Sequence, residues 1–453
     1  MNEQNHPESS GLSRRDFVRV SAVAAAVPVL SNGLASPLVH AAGSDTMKIG
    51  LIGCGGRGTG AATQALAADK GLVLWSMGDV FKDRLDSAHK NITDWIGDPE
   101  QHPKGRAVSK EQLSVADDRR FTGFDSYQKV IDSGVDAVLL TSYPCFRPEH
   151  LRAAIKAGKH VFAEKPIAVD APGYRAFCAA GEEAKSKNLA VLIGFCWRHH
   201  PGMKQAFDKI LSGSIGEVNS AYTTYLTGTL GKRPRQPEWS DVEFQMRNWW
   251  HFTWISGDHI VEQAVHSVDR LAWAMGDVMP KKISCLGGRA ARNGPEHGNV
   301  YDHFAAIYEY ADGRRAYHAC RQIENCSNDN TDYVYGSKGQ AIVEGWAPTL
   351  KASDYSGKEL WSVKGSGADV AAMYQNEHDE LWASIRAGKP INDAQRSANS
   401  CMLAIAARMA AYTGKTITWD EAVNSKEEIV PAKMEFGPME TPAVAIPGKT
   451  KML

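Results

Sequence analysis

The sequence carries no excess of either charge. Its 51 lysines and arginines stand against 52 aspartates and glutamates, a formal net of −1. A surface for nucleic acid or anionic lipid needs a basic footprint, and none is indicated. Paired cysteines are lacking too. Eight cysteines (54, 145, 178, 196, 285, 320, 326 and 401) are scattered without a Cys-x-x-Cys pair, which excludes zinc-ribbon and thioredoxin-like readings. They are too sparse for a disulfide scaffold, so buried free thiols are expected. No metal site is expected either. His251 and His259 lie eight apart, and the adjacent His199 and His200 would not face together on a helix. The apolar stretch near the N-terminus, Val20 to Leu30, is 11 residues long, whereas a membrane span needs about 20. Hydrophobic content of 43% and charged content of 23% are ordinary globular values and exclude disordered or coiled-coil chains.

What is present begins with a targeting signal. Ser13-Arg14-Arg15-Asp16-Phe17 precedes the apolar stretch, and small residues follow around Ala41. Charged n-region, short h-region and small-residue site make a signal peptide over 1–41, and the paired arginines resemble a twin-arginine signal. Partnership with the twin-arginine export machinery and a periplasmic location are therefore expected. That route is known for carrying folded proteins, so a bound cofactor can travel with the passenger.

Met47 to Ile52 reads as a strand, followed by Gly53-Cys54-Gly55-Gly56-Arg57-Gly58 and an Ala-rich helix over 59–69. The run fits Gly-x-Gly-x-x-Gly. The first glycine permits a tight turn, the second lets backbone approach a pyrophosphate, and the third lets helix and strand pack closely. The helix N-terminus offers free N–H groups to phosphate. A second strand over 72–77 ends at Asp79, 21 residues beyond Gly58 and near the spacing of a ribose-binding carboxylate. A carboxylate accepts from ribose hydroxyls and repels a 2′-phosphate, which favours NAD over NADP; Arg84 nearby is read as a solvated helix position. Helix 125–133, strand 135–140, helix 149–157 and strand 161–163 continue the alternation, so a doubly wound parallel sheet is expected. Thr141-Ser142-Tyr143-Pro144 lies at its carboxyl edge, where cofactors bind. Residues 91–118 read as an irregular insertion.

Four runs together resemble the Gfo/Idh/MocA family: the glycine fingerprint; Ala157 to Pro166, reading AGKHVFAEKP; Gly194 to Pro201; and Glu262-Gln263-Ala264-Val265-His266. The resemblance implies an N-terminal Rossmann domain (47–166) and a C-terminal α/β domain (167–427) with a large open, mostly antiparallel sheet. It also implies homodimers or homotetramers, a catalytic Lys165 followed by a cis Pro166, and Glu164 and Lys165 beside the cofactor. His266 becomes the general base. Glu262 replaces the usual Asp of this motif and Ala264 the usual Gly, so the role of Glu262 stays open between substrate ligand, orienter of His266 and proton relay. Spacing of four places Glu262 and His266 on one side of a helix. Arg198 matches a position near the substrate, though a structural salt bridge accounts for it equally well.

Residues 239–259 are rich in Trp and His. Trp249, Trp254, Asp258 and His259 are candidates for a carbohydrate pocket, because indoles stack on sugar faces and polar groups bond hydroxyls. Strand-like runs over 301–346 give the sheet of the second domain, and helices over 374–387 and 394–412 return to the first domain. The stretch 428–453, with four prolines, reads as an arm or a disordered tail. The function expected is transfer of hydride between NAD and a carbinol of a sugar or cyclitol. The alternatives are an NAD-dependent glycosidase working by transient oxidation and a non-catalytic NAD- or sugar-binding protein.

Overall fold

A computed structural model describes residues 46–451 apart from 347–348 and 365–366; the signal over 1–41 lies outside the described residues. The first half alternates strand and helix. β1 (Met47–Ile52), α1 (Gly56–Ala68), β2 (Leu72–Asp79), α2 (Lys82–Gly97), β3 (Arg120–Thr122), α3 (Ser126–Asp132), β4 (Ala137–Leu140), α4 (Arg147–Lys156), β5 (His160–Ala163), α5 (Ala171–Ser186) and β6 (Val191–Ile193) follow in turn. The sheet order is β3-β2-β1-β4-β5-β6, all parallel. Helices cover both faces, and β4, with Ala-Val-Leu-Leu wholly buried, is apolar on both sides.

Two boundaries differ from the sequence reading. The Rossmann sheet does not end at Pro166, because β6 pairs with β5 through Val161↔Val191. The irregular insertion starts at 98 rather than 91, because Leu85, Ala88, Ile92 and Ile96 keep a buried helical stripe through α2.

After α6 (Pro201–Leu211) come β7 (Val218–Thr227), α7 (Asp241–Arg247), α8 (Thr253–Ser256), α9 (His259–Glu262) and α10 (Val265–Ala274). Strands β8 (Lys282–Gly288), β9 (His303–Glu309), β10 (Arg315–Gln322), β11 (Thr331–Gly336), β12 (Gly339–Glu344), β13 (Thr349–Asp354) and β14 (Glu359–Lys364) follow. Then come α11 (Gly367–Arg386), α12 (Ala394–Thr413), β15 (Ile417–Thr418) and α13 (Trp419–Val423). The nine-stranded order is β14-β13-β12-β11-β7-β10-β9-β8-β15, antiparallel except for β7 beside β10. β9 alternates buried and open positions (Phe304, Ala306 and Tyr308 inward), as a sheet with one covered face requires.

Helix α12 is buried nearly all round, wedged between α5 on one side and β8 and α10 on the other. It ends at Gly414 in the left-handed conformation, φ +69°. Helix α11 returns to the Rossmann half, where Leu381 and Trp382 pack with Ala61 and Ala65 of α1. The final stretch is an arm: Ile429, Val430, Met434 and Met439 pack onto a cluster containing Phe81, Phe146 and Trp254. Among the described residues no helix is long and apolar enough to cross a membrane.

Candidate active site

The turn between β1 and α1 is held by contacts that tolerate only glycine at two points. Gly53 has φ +96°, and a Cβ there would strike the backbone of Thr141 and Ser142. A Cβ on Gly58 would fall on the carbonyl oxygen of Gly53. At Gly55 and Gly56 a Cβ would meet nothing within 4 Å, so these two residues border open space at the start of α1. A pyrophosphate fits such a cradle, bounded by backbone N–H groups at a helix N-terminus. Asp79 ends β2 and accepts from the N–H of Cys54 at 2.6 Å and of Phe81 at 2.8 Å. Burial raises its pKa, and those two N–H groups pull against it.

These residues line a cleft of about 490 Å³, within the range of small-molecule sites. Tyr143, Glu164, Lys165, Trp249, Glu262 and His266 line it as well. The Lys165–Pro166 peptide is cis. Lys165 Nζ donates to the backbone carbonyl of Glu262 at 2.6 Å, and Glu262 Oε2 has no partner. His266 is buried, its Nδ1 unpartnered and its ring edge-on to Phe195. Burial pushes its imidazole well below the ordinary histidine range, and the charges of Lys165 and Arg270 push the same way. Glu262 and His266 do not share one helix. α9 ends at Glu262 and α10 starts at Val265, with Gln263 and Ala264 between. Both residues reach the cleft across this break.

Several neighbours hold the site together. Arg57 donates to Glu164 at 2.5 Å and to Glu377 of α11 at 3.2 Å, so its guanidinium is committed to carboxylates. Thr141 Oγ1 donates to the carbonyls of Gly53 at 2.6 Å and Ile52 at 3.1 Å, closing the glycine turn. Arg147, absent from the sequence reading, is buried against the cleft and donates to the carbonyls of Pro166 (2.6 Å) and Ser142 (2.7 Å). It thereby joins the loops after β4 and β5. A buried cation just past a strand's carboxyl end was the available signal. Arg233 and Tyr374 also line the cleft, from segments with no local motif.

Five expected residues are elsewhere. Pro144 is buried in a 3-10 turn beneath the cleft wall and does not line it. Arg198 is taken up by Asp269 (2.9 Å) and Asp277 (2.6 Å). Trp254 lies in the core and donates to Gln245 at 2.7 Å. Asp258 is fully buried and accepts from the N–H groups of His259 (2.6 Å) and Tyr301 (2.8 Å) and from the Tyr412 hydroxyl. His259 is buried beside Phe304. None of these five lines the cleft; for Trp254, Asp258 and His259 the reason is that the segment after Trp250 turns inward through α8.

Residues 47–195 match a model described as an oxidoreductase family with an NAD-binding Rossmann fold. Residues 203–342 match the GFO/IDH/MocA C-terminal domain, so the two models together span well over half of the chain. The chain belongs to the Gfo/Idh/MocA family of oxidoreductases. Inositol 2-dehydrogenase 3 of Saccharopolyspora erythraea is 30% identical over 49% of this chain and 55% of its own. The 2,7-anhydro-N-acetylneuraminate hydratase of Escherichia coli is 28% identical over 40% and 44%. The chain thus spans about half the length of the curated relatives it matches. Scyllo-inositol dehydrogenase from Lactobacillus casei, solved with NAD(H) and scyllo-inositol, aligns over 83% of this chain and 99% of its own. Its TM-score is 0.61 at 18% identity, a likeness of fold.

Proposed function

We propose that this Gfo/Idh/MocA protein is an exported, NAD-dependent oxidoreductase acting on a carbinol or carbonyl of a sugar or cyclitol. The observation that carries the reading is convergence. Lys165, Glu262 and His266 line the same cleft as the glycine cradle and Asp79. The cofactor, when bound, supplies hydride acceptance or donation. The chain supplies orientation and proton transfer. Lys165 Nζ spends one N–H on the Glu262 carbonyl, and its remaining donors are free to hold a substrate oxygen. His266, kept neutral by burial, takes the hydroxyl proton. Trp249 and Trp250 give the cleft stacking faces. The inositol dehydrogenase relative supports a polyol substrate.

The preference for NAD rests on Asp79. Export rests on Arg14-Arg15 and the apolar stretch after it. Homo-oligomers are supported by the open sheet face, where Ile307 and Tyr317 stand side by side and partly exposed beside the stacked pair Tyr222 and Tyr333.

A second reading, redox-assisted cleavage of a glycoside, is favoured by the hydratase relative and by the unpartnered Glu262 carboxylate. That carboxylate is a base available to remove a proton beside a newly formed carbonyl. A keto-sugar product supports the first reading, and a free, unoxidised sugar the second. The test begins with the purified mature chain, denatured and examined by mass spectrometry for NAD or NADH. Lys165→Ala should then abolish turnover and leave the dinucleotide bound; unchanged turnover removes Lys165 from the chemistry.

A further inference from the structure

Resting on the NAD-binding reading above, we infer that α7 and the C-terminal arm form a clasp that holds the adenosine half of the cofactor in place. In a Rossmann fold the carboxylate ending the second strand takes the adenosine ribose, so Asp79 marks that half. Beside it the cleft is lined by Val80, Arg84 and Phe124 from the Rossmann domain. It is also lined by Arg247 and Trp249, which come from the second half of the chain.

The Arg247 contacts show how the two halves are joined. Its guanidinium lies 4.2 Å from the centre of the Phe81 ring and 5.0 Å from that of Trp239. It bonds Asp83 in the first turn of α2 at 3.1 and 3.2 Å, and its own helix through Glu243 at 2.9 Å. Trp249 packs on Tyr143, ring centres 5.6 Å apart. The arm closes the same place from a third direction. Phe436 sits 5.0 Å from Phe124 and 5.8 Å from Phe81, ring to ring.

The arm is bonded to α7 around Gly437–Met439, and its start is tied to Asp170 at the head of α5 by the Ile429 N–H at 3.1 Å. The Val242 N–H donates to the Gly437 carbonyl at 3.2 Å and Gln245 Nε2 to the Met439 carbonyl at 2.9 Å. The Met439 N–H returns a bond to Asp241 at 3.0 Å. Arm and α7 are thus joined beside the loop after β2, and they hold that loop through Arg247, on Asp83 and the Phe81 ring, and through the Phe436 aromatic contacts. Release of an adenosine held beside Asp79 requires that grip to open. The cofactor is thereby retained between turnovers.

The experiment measures the rate at which NAD leaves the full-length holoprotein, by dilution into excess isotopically labelled NAD and mass spectrometry of the nucleotide kept. Phe436→Ala, Arg247→Met and Asp83→Ala should each speed exchange at least tenfold. Asp83 is exposed, so its replacement loosens the grip without opening a core. Exchange as slow in all three as in the parent protein overturns the clasp while leaving NAD binding intact. A parent protein that takes up no NAD at all overturns the cofactor reading and the clasp with it.

Discussion

Acidification from pH 7 to pH 5 should destabilise this protein through its buried histidines. His150, His251 and His318 are buried, and burial first of all drives each imidazole down to about 3. Neighbouring charges add to this: Arg147 for His150, Arg292 for His251, His259 for His318. The rings are neutral in the native state and titrate near 6.5 once exposed. Between those values the unfolded chain binds more protons, so stability falls as pH falls through 6.5 and is fully present above it. At pH 5 each ring costs about 2 kcal/mol, and the three together about 6 kcal/mol. A typical domain has only about 5–15 kcal/mol in all. His266 and His378 are displaced the same way. Asp79, Asp332 and Glu377, raised by burial, act in the opposite sense, and Glu377, held well above the ordinary carboxylate range, offsets part of the loss in this same window. Urea unfolding followed by tryptophan fluorescence at the two pH values measures the difference. His318 bonds the Thr223 hydroxyl at 2.9 Å, a contact asparagine can keep, and His318→Asn should remove about 2 kcal/mol of the pH dependence. Equal unfolding free energies at pH 7 and pH 5, or an unchanged dependence in His318→Asn, would refute the reasoning.

Two further substitutions separate cradle from scaffold. Gly55→Ala places a methyl in open space, so it should leave the melting temperature unchanged and weaken NAD binding at least tenfold in calorimetry. Gly58→Ala drives a methyl into the Gly53 carbonyl and should cost about 1–3 kcal/mol in urea unfolding as well; equal behaviour of the two would contradict the geometry. Asp258→Ala leaves two backbone N–H groups and the Tyr412 hydroxyl without their acceptor. It should cost about 1–3 kcal/mol for each stranded donor, with a total loss under about 1 kcal/mol counting against a structural role.

The Rossmann half was legible because its signals are local. A glycine turn, a carboxylate at a strand end and alternating apolar runs sit within short windows, whereas β3 and β6, three residues each, are too short to show one. Lys165 and His266 were legible through motifs. The aromatic segment was not. Trp249 and Trp254 are five residues apart and identical in type, yet one lines the cleft and the other fills the core. Composition names stacking surfaces without saying which way the backbone turns next. Arg198 shows the same limit, since its two carboxylate partners lie 71 and 79 residues away. The arm's role depends on aromatic partners in the Rossmann half, 312 and 355 positions earlier in the chain.

The bond from Arg57 to Glu377 spans 320 residues, and it sets an order of assembly. The glycine turn leaves the ribosome some 320 residues before the helix that holds Arg57. That helix, α11, also covers the apolar flank of α1. Loops of this length form slowly. A nascent chain that has completed all six Rossmann strands still lacks the partner of its own glycine helix. Nucleotide loading should therefore follow the emergence of α11, and a fragment ending at residue 195 should be a poor substitute for the whole.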